Sequence, residues 1–280
     1  MLQSVLWRRL VEKIASHAIL LAFSFCFFIP LLWMVLGAFK TPADLNATPV
    51  KWFTHDITWD NFSQGVQTFP MGRYVLNTLI IAVPSMIGAA VSSSFIAYGL
   101  ARIDWPLRKP LFVVILATMM IPYYVTMVPL FQMFKAIGWV GTFLPLIAPH
   151  FFGVAFYVFL LRQFYMGIPR SLTDAARVDG VSEIGIWWRI VLPLSRPALA
   201  AVMLFQFLIS WSDLLGPLLY LSNSNLYTVS LGLTYFRGEY ATAFGPLMAV
   251  SAILIVPVAV VFFLAQRTFI QGITLSGIKE

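Results

Sequence analysis

Charged side chains that could make specific polar contacts are concentrated in one stretch of the apolar second half of the chain, residues 168–197. With Arg162 just upstream, the stretch carries Arg170, Asp174, Arg177, Asp179, Glu183, Arg189 and Arg196. Carboxylates and guanidiniums form strong, charge-assisted hydrogen bonds. The chemistry that this stretch indicates is contact with another protein.

Residues 172–179 are predicted to form the first of two short helices in this stretch. Pro169 stops the helix that precedes it. Ser171 and Asp174 have the spacing of a capping box, in which a hydroxyl accepts from free backbone N–H groups and a carboxylate lies near the positive helix end. Gly180 can take the left-handed conformation that closes the helix.

A second short helix is predicted to begin at Ser182 and to end at Pro193. Serine is a favoured N-cap, and proline cannot continue the helical hydrogen bonds. Two short helices joined at a glycine form a compact projection, which we call the knob (residues 168–197). Ala175 and Ala176 leave one face of its first helix nearly bare, so the backbone of another protein can approach closely.

Asp213 is the one acidic residue inside a long apolar segment that is predicted to cross the membrane. A charge at that depth is costly and normally faces a cavity or a partner. On a helix it shares a face with Gln206 and Ser210, and these side chains could line a polar pathway. The alternative is that Asp213 lies near the outer end of the span or pairs with another helix for assembly. Further pathway candidates are Trp211, Asn77 and Tyr123.

No pattern in the chain supports an enzyme. There is no G-x-x-x-x-G-K-[ST] phosphate loop, no H-E-x-x-H and no G-x-S-x-G. The three histidines lie in separate segments, and Cys26 is the single cysteine, so neither a metal site nor a disulfide is indicated. We therefore expect no catalytic residue, no metal and no cofactor, and any energy for transport must come from a partner.

The composition places the chain in a lipid bilayer. Its 280 residues are 60% hydrophobic and only 10% charged, and the mean hydropathy is +0.86, whereas a soluble domain averages about 25% charged. We therefore expect an all-α, multi-pass membrane protein. A net charge of +7 would suggest nucleic acid in a soluble protein, but membrane topology explains it here and no nucleic acid is expected as a partner.

Six membrane spans are predicted, with the knob between the fourth and the fifth. They are residues 14–39, 74–101, 111–134, 142–161, 198–221 and 244–264. We interpret residues 1–280 as a single membrane domain, in which 1–70 hold the first span and an external loop, 71–268 a core and 269–280 a cytoplasmic tail. The first apolar run is too long for a signal peptide, whose apolar region spans about 7–15 residues.

Prolines inside the spans favour a bundle that encloses a pathway. Proline leaves backbone groups without helical partners, which is tolerated where protein or a water-filled cavity covers them. The prolines interpreted in this way are Pro122, Pro129, Pro217 and Pro257. The second span is rich in Gly, Ala and Ser, which let helices approach closely in lipid.

Lysine and arginine are distributed unevenly between the loops. If the N-terminus is cytoplasmic, 13 of the 18 Lys and Arg residues lie on the cytoplasmic side and 5 lie outside. The positive-inside rule then predicts that both termini and the knob are cytoplasmic.

The knob resembles the cytoplasmic "EAA" loop of ABC-importer membrane subunits. The matching residues are Asp174-Ala175-Ala176, Asp179-Gly180, Ile190, Leu192-Pro193 and Pro197, with Asp174 where that family usually has Glu. The Trp-Asn-Asp…Pro pattern of carbohydrate permeases is similar to Trp211-Ser212-Asp213 with Pro217. The carboxyl end of maltose-type permeases is similar to Ala265-Gln266-Arg267…Gly272…Gly277-Ile278-Lys279.

This resemblance implies an ATP-driven importer of the bacterial plasma (inner) membrane that works by alternating access and carries a sugar, either a di- or oligosaccharide or a related compound such as phosphorylated glycerol. The family assembles two homologous permease subunits, two ATP-binding subunits and an extracytoplasmic substrate-binding protein. Residues 71–268 would be the ABC permease core. The residues to which the resemblance assigns coupling to the ATPase are Ser171, Asp174, Ala175, Ala176, Arg177, Asp179 and Gly180.

Two other functions share the hydropathy and the charge asymmetry. A structural subunit of a membrane complex, without a pathway of its own, would not require the Asp-Ala-Ala…Gly pattern. A proton-coupled secondary transporter usually needs acidic residues in several spans. Asp213 alone is weak evidence for that function. Co-purification with an ATPase separates the importer from both alternatives.

Overall fold

The computed structural model describes residues 2–54, 56–236 and 243–276. Helices connected by short turns make up most of these residues, and no strand occurs among them. The expected all-α class is therefore confirmed.

Fifteen α-helices are found in the described ranges. They are α1 Leu2–Ala38, α2 Pro42–Leu45, α3 Asp60–Thr68, α4 Met71–Arg102, α5 Arg108–Thr118, α6 Tyr123–Ala136, α7 Leu144–Ile147, α8 Ala155–Met166, α9 Arg170–Val178, α10 Glu183–Ile186, α11 Leu192–Leu194, α12 Arg196–Ser212, α13 Leu215–Tyr220, α14 Val229–Gly232 and α15 Phe244–Ser276. A π-helical turn covers Trp187–Val191, and 3₁₀ turns cover Ala148–Phe152, Ser224–Leu226 and Leu233–Phe236.

Four helical segments are long and apolar enough to cross a bilayer: Val11–Ala38, Met71–Arg102, Leu144–Met166 and Phe244–Gln266. Two bent pairs raise the number in the described residues to six if each pair is one span. Arg108–Thr118 and Tyr123–Ala136 meet at 95°, and Glu183–Leu194 and Arg196–Ser212 meet at 80°. The third predicted span thus breaks at Pro122, as expected, whereas Pro129 lies within α6.

Two predicted boundaries are wrong. The fifth span was expected to continue to residue 221, but α12 ends at Ser212 and α13 begins separately at Leu215. The second knob helix does not end at Pro193, because proline is tolerated in the first turn of α11, and helical structure continues to Leu194. Helix α15 runs through Pro257 to Ser276, and its membrane-span segment, Phe244–Gln266, agrees with the predicted sixth span at 244–264. Gly277, Ile278 and Lys279 lie outside the described residues.

The chain divides into two compact units. The first comprises Met1–Phe69 and Tyr235–Ile255, and the second comprises Pro70–Thr234 and Val256–Glu280. In the first unit, the buried Asn61 amide donates to the carbonyls of Ala38 and Lys40, at 3.0 and 2.7 Å. The ammonium group of Lys40 lies 4.0 Å from the centre of the Trp33 ring. These contacts hold the loop after α1 against the end of that helix.

In the second unit, α8 and α12 both pack against α4. The α4 surface is made of small residues, among which Ala89, Ala97 and Ser93 are fully buried. Ser92 and Ser93 accept hydrogen bonds from the backbone N–H groups of Gly153 and Val154, at 3.1 and 3.0 Å. Because lipid offers no partner for such groups, these serines stabilise the break that interrupts the fourth span.

Cysteine labelling tests the predicted orientation. In a Cys26→Ser background, Ser222→Cys is expected to react with an impermeant thiol reagent in intact cells, because Ser222 is exposed in the loop between α13 and α14. Arg189→Cys in the knob, also exposed, is expected to react only after the membrane is permeabilised. The reverse pattern would show that the orientation is inverted.

Candidate functional site

A cavity of about 380 Å³ lies within the second unit, where the third and fifth predicted spans are interrupted. Three of the six predicted pathway residues line it: Tyr123, Ser210 and Asp213. The rest of the wall is mostly apolar and aromatic, with Ile81, Leu130, Phe134, Pro145, Leu146, Pro149, His150, Ile209, Leu215, Gly216, Pro217, Tyr220 and Thr228. An apolar cavity with a few converging polar groups is the usual form of a small-molecule site.

A buried polar cluster lies at one side of the cavity. The Gln206 amide donates to the Ser210 hydroxyl at 3.1 Å, and Gln206 Nε2 lies 3.3 Å from His150 Nε2. Gln206 is fully buried, so it supports the wall instead of lining it. The predicted common face of Gln206 and Ser210 is thus observed. His150 is one of the three histidines that the sequence analysis considered only as possible metal ligands. Its proximity to Gln206 depends on a contact between segments that are distant in sequence, which no local pattern reveals.

Asp213 occupies the break between α12 and α13. Its Oδ1 accepts a hydrogen bond from the backbone N–H of Gly216, at 3.0 Å, which satisfies a donor that the interrupted helix leaves free. A Cβ atom at Gly216 would lie 2.8 Å from Leu146 Cδ2 and closer still to Asp213 Oδ2, so a side chain there would displace one or both of these side chains. Asp213 therefore lies between two helices and not, as predicted, inside one.

Asn77 and Trp211, the remaining predicted pathway residues, do not line this cavity. The Asn77 amide donates to the carbonyls of Asn225 and Tyr227, at 2.8 and 3.0 Å, and so joins α4 to the following loop. The Trp211 ring is buried against Phe207, with ring centres 5.4 Å apart. Both side chains make contacts that hold the unit together.

Helix α9 of the knob has two distinct faces. Thr173 and Ala176 are buried against the rest of the unit. Leu172, Ala175 and Val178 are exposed, the last at 88% of its surface. The expectation that Ala176 faces outward with Ala175 is therefore wrong, because the two positions lie on different sides of the helix. The outward side of α9 is therefore an exposed apolar face.

The start and the end of α9 differ in how well they were predicted. Pro169 is the N-cap and Ser171 makes no capping hydrogen bond, so the predicted capping box does not form. At the other end, Gly180 has φ +76°, and its N–H donates to Arg177 O while Val181 N–H donates to Ala176 O, both at 3.0 Å. This is the Schellman arrangement that favours glycine, as predicted. Ser182 caps α10 through Gly185 N–H, also as predicted.

Arg177 is the centre of a network of polar contacts that joins three elements. Its guanidinium contacts Asp174 Oδ1 and Glu183 Oε1, both at 2.7 Å, and donates to the carbonyl of Arg102 at 3.1 Å. The Tyr98 hydroxyl donates to Glu183 Oε2 at 2.5 Å. The hydrogen bond to Glu183 raises the pKa of Arg177 above its ordinary value. We call Arg177, Glu183 and Tyr98 the latch, because it fixes the knob to α4.

Comparisons with known proteins agree on one family. The family described as "Binding-protein-dependent transport system inner membrane component" matches residues 89–275. The chain is 34% identical to the arabinooligosaccharides transport system permease protein AraQ of Halalkalibacterium halodurans, over 97% of this chain and 99% of that protein. It is 30% identical to the sulfoquinovosyl glycerol transport system permease protein SmoH of Agrobacterium fabrum, over 89% of this chain and 88% of that one.

A solved structure has the same fold. The crystal structure of a bacterial ABC transporter involved in the import of the acidic polysaccharide alginate contains a chain that superposes with a TM-score of 0.79. The match covers 92% of this chain and 96% of that chain, at 20% identity.

The two faces of α9 lead to a prediction about stability. Ala176→Trp is expected to lower the stability of the detergent-solubilised protein by about 1–3 kcal/mol, because added volume in a packed site strains its neighbours. Ala175→Trp is the matched control on the exposed face of the same helix, and we expect a change within about 0.5 kcal/mol. Thermal unfolding of both variants measures the difference. Equal shifts would contradict the assignment of the faces.

Proposed function

Because the chain belongs to the family of binding-protein-dependent transport system inner membrane components, we propose that it is a permease subunit of an ATP-driven sugar importer. The family consists of membrane transport components and not of enzymes, as expected from the sequence. The names of the two relatives given above mention arabinooligosaccharides and a sulfoquinovosyl glycerol. A sugar or glycoside is accordingly the substrate class that we assign.

The cavity at the helix breaks carries this proposal. Its polar groups suit a sugar, since the Asp213 carboxylate and the Ser210 hydroxyl can accept hydrogen bonds from sugar hydroxyls. The rings of Tyr123 and Tyr220 offer apolar faces to the C–H surfaces of a sugar ring. A mixture of aromatic faces and few polar groups fits a neutral saccharide better than an ion, which would need opposite charge or several ligands.

The proposed assembly contains this chain, a second homologous permease, two ATP-binding subunits and an external substrate-binding protein. The family description itself makes transport binding-protein-dependent. The exposed apolar face of α9 supports a docking role for the knob, because Leu172 and Val178 would otherwise be exposed to water.

The latch gives this docking surface a route to the membrane spans. A displacement of α9 acts on Arg177, and through Glu183 and Tyr98 it acts on α4. Helices α8 and α12 pack on α4, and α12 carries Ser210 at the cavity. We propose that closure of the ATPase dimer moves the knob and thereby opens the cavity alternately to the two sides of the membrane.

Affinity purification tests the assembly directly. The tagged chain, purified from native membranes, is expected to bring with it an ATP-binding protein and a second permease, and the complex in proteoliposomes should take up sugar only with ATP and the binding protein. Isolation without an ATPase would favour the structural-subunit alternative. Uptake driven by a proton gradient without ATP would favour the secondary transporter.

Asp213→Asn tests the cavity. Asparagine keeps an oxygen that can accept from Gly216 N–H and removes only the charge, so assembly should be unchanged. We expect the sugar concentration for half-maximal uptake to rise roughly tenfold, as for a lost charge-assisted hydrogen bond. Asp60→Asn, an exposed acid in α3 outside the cavity, is the control. Unchanged uptake by Asp213→Asn would remove Asp213 from the pathway.

Ala175→Trp tests the docking face. The substitution adds volume where the ATP-binding subunit is proposed to bind, so we expect that subunit to dissociate or to hydrolyse ATP without sugar stimulation. Gly180→Val should act similarly, because a non-glycine residue in the left-handed region costs about 1 kcal/mol or more. Arg189→Trp, exposed elsewhere in the knob, is the control.

The measurements are the amount of ATP-binding subunit in the purified complex and its ATP hydrolysis with and without sugar. If Ala175→Trp and Gly180→Val both retain normal values, the knob is an ordinary connection between two spans.

A further inference from the structure

Five cationic side chains surround a second cavity of about 260 Å³, away from the proposed sugar site. They come from four helices: the end of α4, the start of α5, the middle of α8 and the first residue of α9. We call this group the basic pocket; its cations are Arg102, Arg108, Lys109, Arg162 and Arg170, and its apolar lining includes Leu100 and Met166.

The basic pocket has little compensating negative charge. Asp104 pairs with Arg108 and lies 4.0 Å from Arg170. Its carboxylate is 68% exposed, so water screens it strongly. No carboxylate in the described part of the chain pairs with Arg102, Lys109 or Arg162. Cations that line one cavity repel one another unless an anion lies between them.

Two arginines of the pocket have buried N–H groups without a partner. Arg102 is only 6% exposed, and its Nη2 donates to the carbonyl of Ile168 at 2.5 Å, but its Nε has no partner. The Nε of Arg162 is also buried and unpartnered, while its guanidinium lies 4.1 Å from the centre of the Phe112 ring. A buried donor without an acceptor costs free energy, so the protein alone leaves both of these guanidinium groups incompletely hydrogen-bonded.

We propose that the basic pocket binds an anionic phosphate group. Guanidinium groups offer several N–H donors in a planar arrangement that matches phosphate oxygens. The volume of the basic pocket is several times the roughly 30 Å³ that a water molecule occupies in the liquid. A phosphate group therefore has room in it. Leu100 and Met166 provide an apolar side to the same cavity, as an attached acyl chain would require.

The pocket's position identifies the source of the phosphate as an anionic phospholipid. It lies at helix ends where the charge distribution predicts the cytoplasmic surface, and basic pockets between spans on that side attract anionic headgroups. Because Arg170 is both a wall of the pocket and the first residue of α9, the bound lipid would connect the spans to the docking helix. This consequence rests on the proposed function, whereas binding itself does not.

Native mass spectrometry of the purified complex tests the binding. We expect adducts of phosphatidylglycerol and few of phosphatidylcholine. The double variant Arg162→Gln/Arg170→Gln should weaken phosphatidylglycerol binding roughly tenfold or more. The single variant Arg162→Lys keeps a cation at that position and leaves Arg170 intact, so it should bind phosphatidylglycerol nearly as well as the wild type. The matched control, Arg189→Gln/Arg196→Gln, removes two exposed arginines of the knob outside the pocket and should bind like the wild type.

A second arm distinguishes a soluble source. If inorganic phosphate competes with phosphatidylglycerol, or binds alone with the same dependence on Arg162 and Arg170, the phosphate site stands and cytoplasmic phosphate is an additional ligand.

Lys109→Gln changes only an exposed side chain, so it should reduce phosphatidylglycerol binding without affecting folding.

Equal loss in the test and control variants would overturn the proposal, because diffuse surface charge would then explain binding. Unchanged binding in both Lys109→Gln and Arg162→Gln/Arg170→Gln would also overturn it. ATP hydrolysis in nanodiscs with and without phosphatidylglycerol is measured separately. Lipid binding without any effect on hydrolysis would retain the site and refute its connection to the docking helix.

Discussion

The second unit depends on one constraint: every backbone group freed by a broken helix must find a partner within the protein, since lipid provides none. Helix α4 meets much of this need with hydroxyl side chains. Ser92 and Ser93 accept from the break before α8, and Thr78 accepts from Val229 N–H, at the start of α14, at 3.0 Å. Ser94 contacts the Tyr165 hydroxyl at 2.6 Å and accepts from the Trp187 indole at 2.9 Å. The broken helices can exist because α4 is continuous and polar at these points.

The same helix joins the two sites. The cavity lies where α6, α12 and α13 begin or end, and the latch joins α9 and α10 to α4 near its end. Helix α4, an uninterrupted element of 32 residues, carries Ile81 at the cavity and Tyr98 at the latch. An ion pair that is partly exposed contributes little stability by itself. The importance of the latch is therefore geometric, because it sets where the knob lies relative to the spans.

Local sequence patterns predicted the features that depend on local backbone chemistry. Gly180 was predicted because a left-handed residue must close α9, and Ser182 because a hydroxyl must cap α10. The long apolar runs predicted the helices α1, α4 and α15, because an apolar segment of that length is readable within one stretch of sequence. Features that depend on contacts between distant segments were not predictable in this way. Asp213 lies at a break where it accepts from Gly216 N–H, and Ala176 packs in a core cluster that includes Ala97 and Tyr98 of α4.

The residues that hold the broken helices in place are largely different from the residues that line the cavity. Helix α4 contributes only Ile81 to the lining, while α6, α12, α13 and the 3₁₀ turn around His150 supply most of the rest. The wall can therefore change in sequence without disturbing the serines and alanines that hold the broken helices. Under the proposed function, such a division separates the residues that set the substrate range from the residues that hold the spans together.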